Sequence, residues 1–239
     1  MNFLTQTGNF LLDLTPALKF ATIAAAAYLL GSVNTAIIVS KLTLKKDIRD
    51  YGSGNAGLTN SIRSMGIKKG LVVLAGDVAK CAAAILFGQL VYSGDMNFIG
   101  GAPGRLWAGL FVFIGHILPL YFGFRGGKGL LTFGVTVLMF DWRIGLIGLG
   151  VFFVIVLTTR YVSLGGIIAS ATIPVMVFLF SFTSISEMRL PLRYTFVAFT
   201  ITCLVTFMHR QNIVRLIKGT ESKFSFRSKP LMEDAEKTE

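Results

Sequence analysis

The sequence predicts an all-α integral membrane protein of about seven transmembrane helices, with the N-terminus outside and the C-terminus in the cytoplasm. Three observations carry this expectation. Of 239 residues, 53% are hydrophobic and only 15% are Asp, Glu, Lys or Arg, whereas a soluble domain carries about 25% charged residues. With a mean hydropathy of +0.68, a globule of this size could not wet its surface, and the chain is far too apolar for disorder. The apolar residues fall into long runs, and the basic residues cluster between alternate runs. The 21 Phe and 26 Gly suit helices in lipid, where aromatic rings face the acyl chains and small residues permit close approach.

The runs follow in order. The first covers about Phe20 to Ser40, after an N-terminal extension, 1–19, that has no cleavable signal pattern and only Lys19 for positive charge. Further runs are expected at Leu71–Tyr92, Leu106–Phe122, Leu130–Phe140, Ile144–Thr159, Gly166–Phe182 and Tyr194–Met208. The fourth is short against the roughly 20 residues a helix needs to cross, so it reads as a half-span or as a helix lengthened by its flanks; five spans, with the fourth and one neighbour failing to cross, would keep the same end locations. Segments 41–70, 121–129, 160–165 and 209–239 hold seventeen Lys or Arg. The opposite connections hold four: Arg105, Arg143, Arg189 and Arg193. This asymmetry sets the orientation. The whole of 1–239 reads as a single polytopic domain ending in a polar tail, 224–239, expected to fray.

A net charge of +11 could mean nucleic acid, but basic residues placed between apolar runs follow the pattern of cytoplasmic loops instead. Cys81 and Cys203 lie inside apolar runs, which argues against a disulfide framework and against a metal site.

The unusual polar clusters all fall on the basic face. Gly52, Gly54 and Gly57 match G-x-G-x-x-G, yet no apolar strand precedes them and no βαβ unit surrounds them, which excludes the dinucleotide reading. What remains is a loop whose backbone N–H groups can converge on an anion ahead of a helix beginning near Leu58. Ser53, Asn55, Thr59 and Asn60 add neutral donors. In the second cluster, Phe122 to Gly129, glycines 126, 127 and 129 surround Lys128. It is no Walker A loop, since Gly129 stands where Ser or Thr would hold Mg²⁺. It is still a loop fit for phosphate, with a fixed cation in it. In the third, His209 and Asn212 share a helix face at i,i+3, next to an apolar stripe that would equally suit an interfacial helix. Ser163 is an isolated small donor at a span boundary.

Asp77 and Lys80, at i,i+3 inside the second span, read as a mutually neutralising structural pair, although intramembrane charges usually mark function. His116, deep in the third span, reads as a packed or hydrogen-bonded histidine. Gly-rich loops, hydroxyls and cations meeting at one membrane face imply a site for phosphate groups beside lipid. A phosphate or organic-anion transporter would need similar loops, but also polar residues near the midplane and related halves. Neither is apparent here. A non-catalytic scaffold would leave the ordered Gly-rich loops unexplained.

Gly52-Ser-Gly-Asn-Ala-Gly-Leu-Thr-Asn60, Gly115-His-Ile-Leu-Pro119 running into Phe124-Arg-Gly-Gly-Lys-Gly129, Arg160-Tyr-Val-Ser-Leu-Gly165 and His209-Arg-Gln-Asn-Ile-Val-Arg-Leu216 together resemble the signatures of a known family. It is the bacterial acyl-phosphate:glycerol-3-phosphate acyltransferases, the PlsY membrane family. The resemblance runs from about Gly31 to Lys223. It implies seven spans in the bacterial cytoplasmic membrane and an active site facing the cytoplasm. It also implies acyl transfer from acyl phosphate to the 1-hydroxyl of glycerol 3-phosphate, giving lysophosphatidic acid and phosphate without metal, cofactor or coenzyme A. A peripheral enzyme that makes acyl phosphate is the implied partner. By motif, the resemblance assigns Ser53, Arg63, Lys128, His209 and Asn212 to the catalytic set. To substrate binding it assigns Gly52, Gly54, Asn55, Gly57, Thr59, Asn60, Gly126, Gly127, Gly129 and Ser163. Ala56 departs from the pattern, standing where many relatives carry proline and leaving that loop less rigid.

Overall fold

In the computed structural model, residues 14–93, 101–182, 191–224 and 231–234 are described, and among them every regular element is helical. Each of the seven apolar runs is a helix or a pair of helices. The first run is α1 (Pro16–Ser32) and α2 (Thr35–Leu44), and the second is α4 (Ile67–Ser93), preceded by the short α3 (Leu58–Met65). Then come α5 (Ala102–Ile117), α6 (Leu130–Phe140), α7 (Trp142–Thr159), α8 (Val162–Phe180) and α9 (Pro191–Met208). Two small helices follow, α10 (Arg210–Ile217) and α11 (Leu231–Asp234).

By length and composition, five of these segments can cross a membrane, or six if α9 and α10, bent by 58° at His209, count as one. The fourth expected run, α6, has 11 residues and at ~1.5 Å per residue reaches only about half of a ~30 Å hydrocarbon core, as a half-span would. The surface of these helices suits lipid. On α7 only Ile144, Gly145 and Gly148 are buried, while Phe153, Val154 and Leu157 are exposed.

Two interior clusters hold the bundle. Phe113, Phe133, Ile144, Ile173 and Ile201 join α5 through α9, and Ile23, Ala84, Ile85, Val112 and Val135 join α1, α4, α5 and α6. The crossing of α1 and α5 is possible because Gly31 and Gly115 have no side chains. A Cβ on Gly31 would stand 2.9 Å from Val112 Cα, and one on Gly115 would stand 2.9 Å from the Ser32 amide. Small residues at such crossings let backbones approach.

The first span is broken. The α1 helix stops at Val33 with extended backbone, and Asn34 restarts the chain by accepting the Ile37 amide on its side-chain oxygen at 3.1 Å. The expected Asp77–Lys80 pair is present, at 2.9 Å. A third, small apolar cluster lies under the loop that follows α2, built from Ala36, Ile37, Val39, Ile48, Ala56, Met65 and Val73. Its last member is Met232, fully buried. Within the tail expected to fray, residues 231–234 form α11, which packs on α3 and buries Met232.

Candidate active site

The loop between α2 and α3 is braced from within. Asp47 accepts the Arg49 side chain twice, from Nε at 3.0 Å and Nη2 at 2.8 Å. That guanidinium holds the Asp47 carboxyl down at about 2. Arg49 Nη1 also donates to the Phe122 carbonyl at 2.9 Å and the Arg125 carbonyl at 3.2 Å, tying this loop to the one carrying Lys128. The sequence reading missed this strut, whose only trace is an Asp and an Arg two residues apart beside the glycines.

Asn60 is the hub of the first loop. Its Nδ2 donates to the carbonyls of Ile48 at 3.3 Å and Tyr51 at 3.0 Å, and its Oδ1 accepts the Ser53 amide at 3.0 Å and the Ser64 hydroxyl at 3.4 Å. Both groups of the side-chain amide are thus used inside the loop. Gly52 and Gly54 take φ of 60° and 67°, which suits glycine. The Gly54 amide goes to the Tyr51 carbonyl and the Gly57 amide to the Asn55 carbonyl, each at 3.0 Å. The expected convergence of glycine N–H groups on an anion is thus not available from Ser53, Gly54 or Gly57, whose amides are spent on the turn. The first turn of α3 begins at Gly57 without a side-chain cap, next to half-buried Asn55 and Thr59. Helix starts of this kind expose amides and a positive dipole end.

The second loop differs from its sequence reading in the same way. The Gly126 amide donates to the Ile117 carbonyl at 3.3 Å and the Gly127 amide to the His116 carbonyl at 3.2 Å. These glycines let the chain lie flat against the end of α5 rather than form a nest. A Cβ on Gly127 would stand 2.8 Å from the Ala56 carbonyl and would meet the His116 ring. Gly129, at φ 77°, turns the chain into α6.

Lys128 leaves this loop and donates to Asn212 Oδ1. Asn212 Nδ2 donates to Glu221 Oε1 at 2.7 Å, Ser163 Oγ donates to the same oxygen at 2.7 Å, and Arg215 Nε pairs with Oε2 at 2.7 Å. Ser163 from α8 and Asn212 and Arg215 from α10 thus meet on one carboxylate, and Lys128 joins them through Asn212. The segment bearing Glu221 is held by the Thr220 amide on the Arg215 carbonyl and the Phe224 amide on the Arg160 carbonyl, both at 2.8 Å. Burial pushes the Glu221 carboxyl up, but the bonds from Ser163, Asn212 and Arg215 outweigh it and hold the group below the usual range. Burial, followed by the charges of Arg215 and Arg63 and opposed by Glu221, lowers Lys128 to about 8. Arg63 therefore acts on this cation from α3. His209 is buried within electrostatic reach of Lys128 and Glu221. Its Nδ1 lies 2.8 Å from the Val205 carbonyl. Since a carbonyl only accepts, that nitrogen carries the proton, and the Nε2 of the neutral ring is an acceptor.

The structure thus gathers Lys128, Ser163, His209 and Asn212, with Arg63 in electrostatic range, around a carboxylate the sequence reading had not singled out. Ser53, Gly52 and Gly54 sit on the exposed rim of the first loop. Glu221 had a faint signal, as a lone acid within a run of bases.

The chain matches the glycerol-3-phosphate acyltransferase family over residues 21–219. A glycerol-3-phosphate acyltransferase of Thermoanaerobacter pseudethanolicus is 40% identical over 201 residues, covering 84% of this chain and 93% of that protein. One from Macrococcus caseolyticus is 36% identical over 210 residues, covering 88% of this chain and all of that protein. The crystal structure of PlsY (YgiH), an integral membrane glycerol 3-phosphate acyltransferase, in its glycerol 3-phosphate form, superposes with a TM-score of 0.74 at 31% identity. That likeness covers 86% of this chain and 96% of PlsY. The lysophosphatidic acid form of PlsY gives 0.71 at 32% identity over 87% and 96%. With a family match over most of its length and relatives of this similarity, the chain belongs to the glycerol-3-phosphate acyltransferase family of integral membrane proteins.

Proposed function

We propose that this protein moves a fatty acyl group from acyl phosphate to the 1-hydroxyl of glycerol 3-phosphate, at the cytoplasmic face of a bacterial inner membrane. The observation that carries the reading is the convergence of Lys128, Asn212 and Ser163, with Arg63 in charge range, next to helix ends at the rim of an apolar bundle. The basic residues of the same loops support the orientation.

In this reading Lys128 and Arg63 neutralise the glycerol phosphate, Lys as a point charge and Arg through its planar fork. Ser163 and Asn212 orient it. The uncapped start of α3, with Asn55 and Thr59 beside it, faces the acyl-phosphate head, while Asn60 and the glycines 52, 54 and 57 shape that loop. Glycines 126, 127 and 129 set the path of the chain to Lys128. Acyl phosphate is already an activated mixed anhydride. The 1-hydroxyl oxygen attacks the carbonyl carbon, the bond from that carbon to the oxygen bridging to phosphorus breaks, and phosphate leaves with that oxygen and the electron pair. The hydroxyl proton passes to a phosphate oxygen, with His209 Nε2 as the alternative acceptor. Alignment of the two substrates supplies the main acceleration, up to roughly 7–11 kcal/mol in ideal systems. A peripheral enzyme that forms acyl phosphate would deliver this insoluble donor at the same face.

The test is a product assay on purified protein with labelled glycerol 3-phosphate, comparing palmitoyl phosphate with palmitoyl-coenzyme A, both in excess chelator. Lysophosphatidic acid from the acyl phosphate alone supports the reading. Product from the thioester, or loss of product on chelation, overturns the donor assignment or the metal-free chemistry.

A further inference from the structure

The ammonium of Lys80 is buried inside the bundle and has four partners. It pairs with Asp77 Oδ1 at 2.9 Å and donates to the carbonyls of Val33 at 2.6 Å and Gly31 at 3.3 Å. The fourth is His116 Nδ1 at 3.1 Å. An ammonium only donates, so Nδ1 of His116 is the acceptor and the proton of its neutral ring sits on Nε2. Thr35 completes the carboxylate side by donating to Asp77 Oδ1 at 3.0 Å. The His116 ring is thereby fixed from one end, and its other end lies against the backbone of Gly127. A Cβ there would stand 3.1 Å from His116 Cδ2 and still closer to Nε2. The same Cβ would also stand 2.8 Å from the Ala56 carbonyl, itself held by Asn34 Nδ2 at 3.2 Å. Gly127 therefore packs against both the ring and the first loop, one residue before Lys128.

We infer that His116 is a positioning residue for acyl transfer: anchored by Lys80, its ring sets the height of the Gly126–Gly129 loop and so delivers the Lys128 ammonium to Asn212. The inference rests on the acyltransferase reading for its kinetic consequence, but the anchoring can be read without activity. The glycine at 127 follows from it, since any larger residue would meet the ring.

Four full-length variants test this in detergent: His116→Leu, His116→Asn, Gly127→Ala and the Gly127→Ala/His116→Asn double. Asn can offer Lys80 an acceptor near the Nδ1 position while removing the part of the ring that meets Gly127. His116→Leu is expected to raise KM for glycerol 3-phosphate on the order of tenfold, the scale of loss a small displacement of a binding group can cause, with kcat changed less. His116→Asn is expected to restore most of that loss. Gly127→Ala alone should impair binding, and the double variant should be less impaired than the product of the two single effects, because the nearest obstacle to the methyl group, the ring nitrogen, is gone and only the Ala56 carbonyl, 2.8 Å from the Cβ position, remains. Hydrogen exchange at the Gly126 and Gly127 amides should rise in His116→Leu and not in His116→Asn. A well-folded His116→Leu with wild-type KM and exchange, or strictly multiplicative effects of Gly127→Ala and His116→Asn, would overturn the assignment. If wild type makes no lysophosphatidic acid, the functional reading fails while the exchange result still decides the anchoring.

Discussion

The Lys128 cation should make substrate binding depend on pH in a range where an ordinary lysine would not. Its ammonium titrates at about 8, chiefly because it is buried, against 10.5 for a free lysine. Only the protonated form attracts phosphate, so affinity is full below about 8 and is lost as pH rises through it. Between pH 7 and pH 9 the charged fraction falls from about nine-tenths to about one-tenth, a roughly tenfold weakening, or about 1.4 kcal/mol. The substrate does not confound this, since a phosphate monoester with a second pKa of about 6 is already dianionic. Dissociation constants for glycerol 3-phosphate, measured by calorimetry from pH 6.5 to 9.5, give the profile directly. Lys128→Arg supplies the control. Its guanidinium stays charged throughout, so its profile should be flat, whatever its absolute affinity with a differently shaped cation. A flat wild-type profile, or the same break in Lys128→Arg, would show that another group titrates or that Lys128 does not meet the phosphate.

Asp77→Asn should destabilise the protein in detergent by about 3–5 kcal/mol, because it leaves the Lys80 ammonium buried without its counter-charge; an unchanged melting temperature with lost activity would instead make the pair functional. Acidification should release the segment that carries Glu221. Its carboxyl is held below the usual range, so the stability it contributes is present above about 4.5 and is lost as pH falls through the folded value. Hydrogen exchange over residues 220–224 should accelerate at low pH in wild type, and be fast already at pH 7 in Glu221→Ala. Met232→Glu should loosen α3, since it forces a charge where a fully buried Met gains about 1.5–3 kcal/mol. Faster exchange across residues 58–65, with Met232→Leu close to wild type, is the expected result. Equal exchange in both variants would mean the tail does not brace that helix.

Much of the architecture was legible because lipid imposes a simple code. Each apolar run became helix, and the 11 residues at Leu130–Phe140 are too few for a full crossing, whereas the break at Asn34 went unread because the first run looks continuous. Composition could not say what the glycines do. A Gly-rich loop reads alike whether its amides face a ligand or its missing side chains admit a neighbour, and here Gly126 and Gly127 do the latter. The partners of Asn60 and Glu221 are set by tertiary approach, which no spacing reveals: Ser163 lies 58 residues from Glu221. The seat of Met232 was obscured because the apolar residues of the charged tail are too few to show a period.

The break in the first span ties two helices into one energetic unit. Carbonyls at the end of α1 lack ladder partners, and in hydrocarbon each would cost several kcal/mol if left bare. Those of Gly31 and Val33 are met by Lys80, which lies well down the next span. Lys80 in turn brings Asp77 on its own helix face, so the second span carries its counter-ion with it as it enters the bilayer. Neither helix is a self-sufficient anchor. The carbonyls at the break are satisfied only when residue 80 of the second span is in place beside them, so the first span is complete only as half of a helical hairpin.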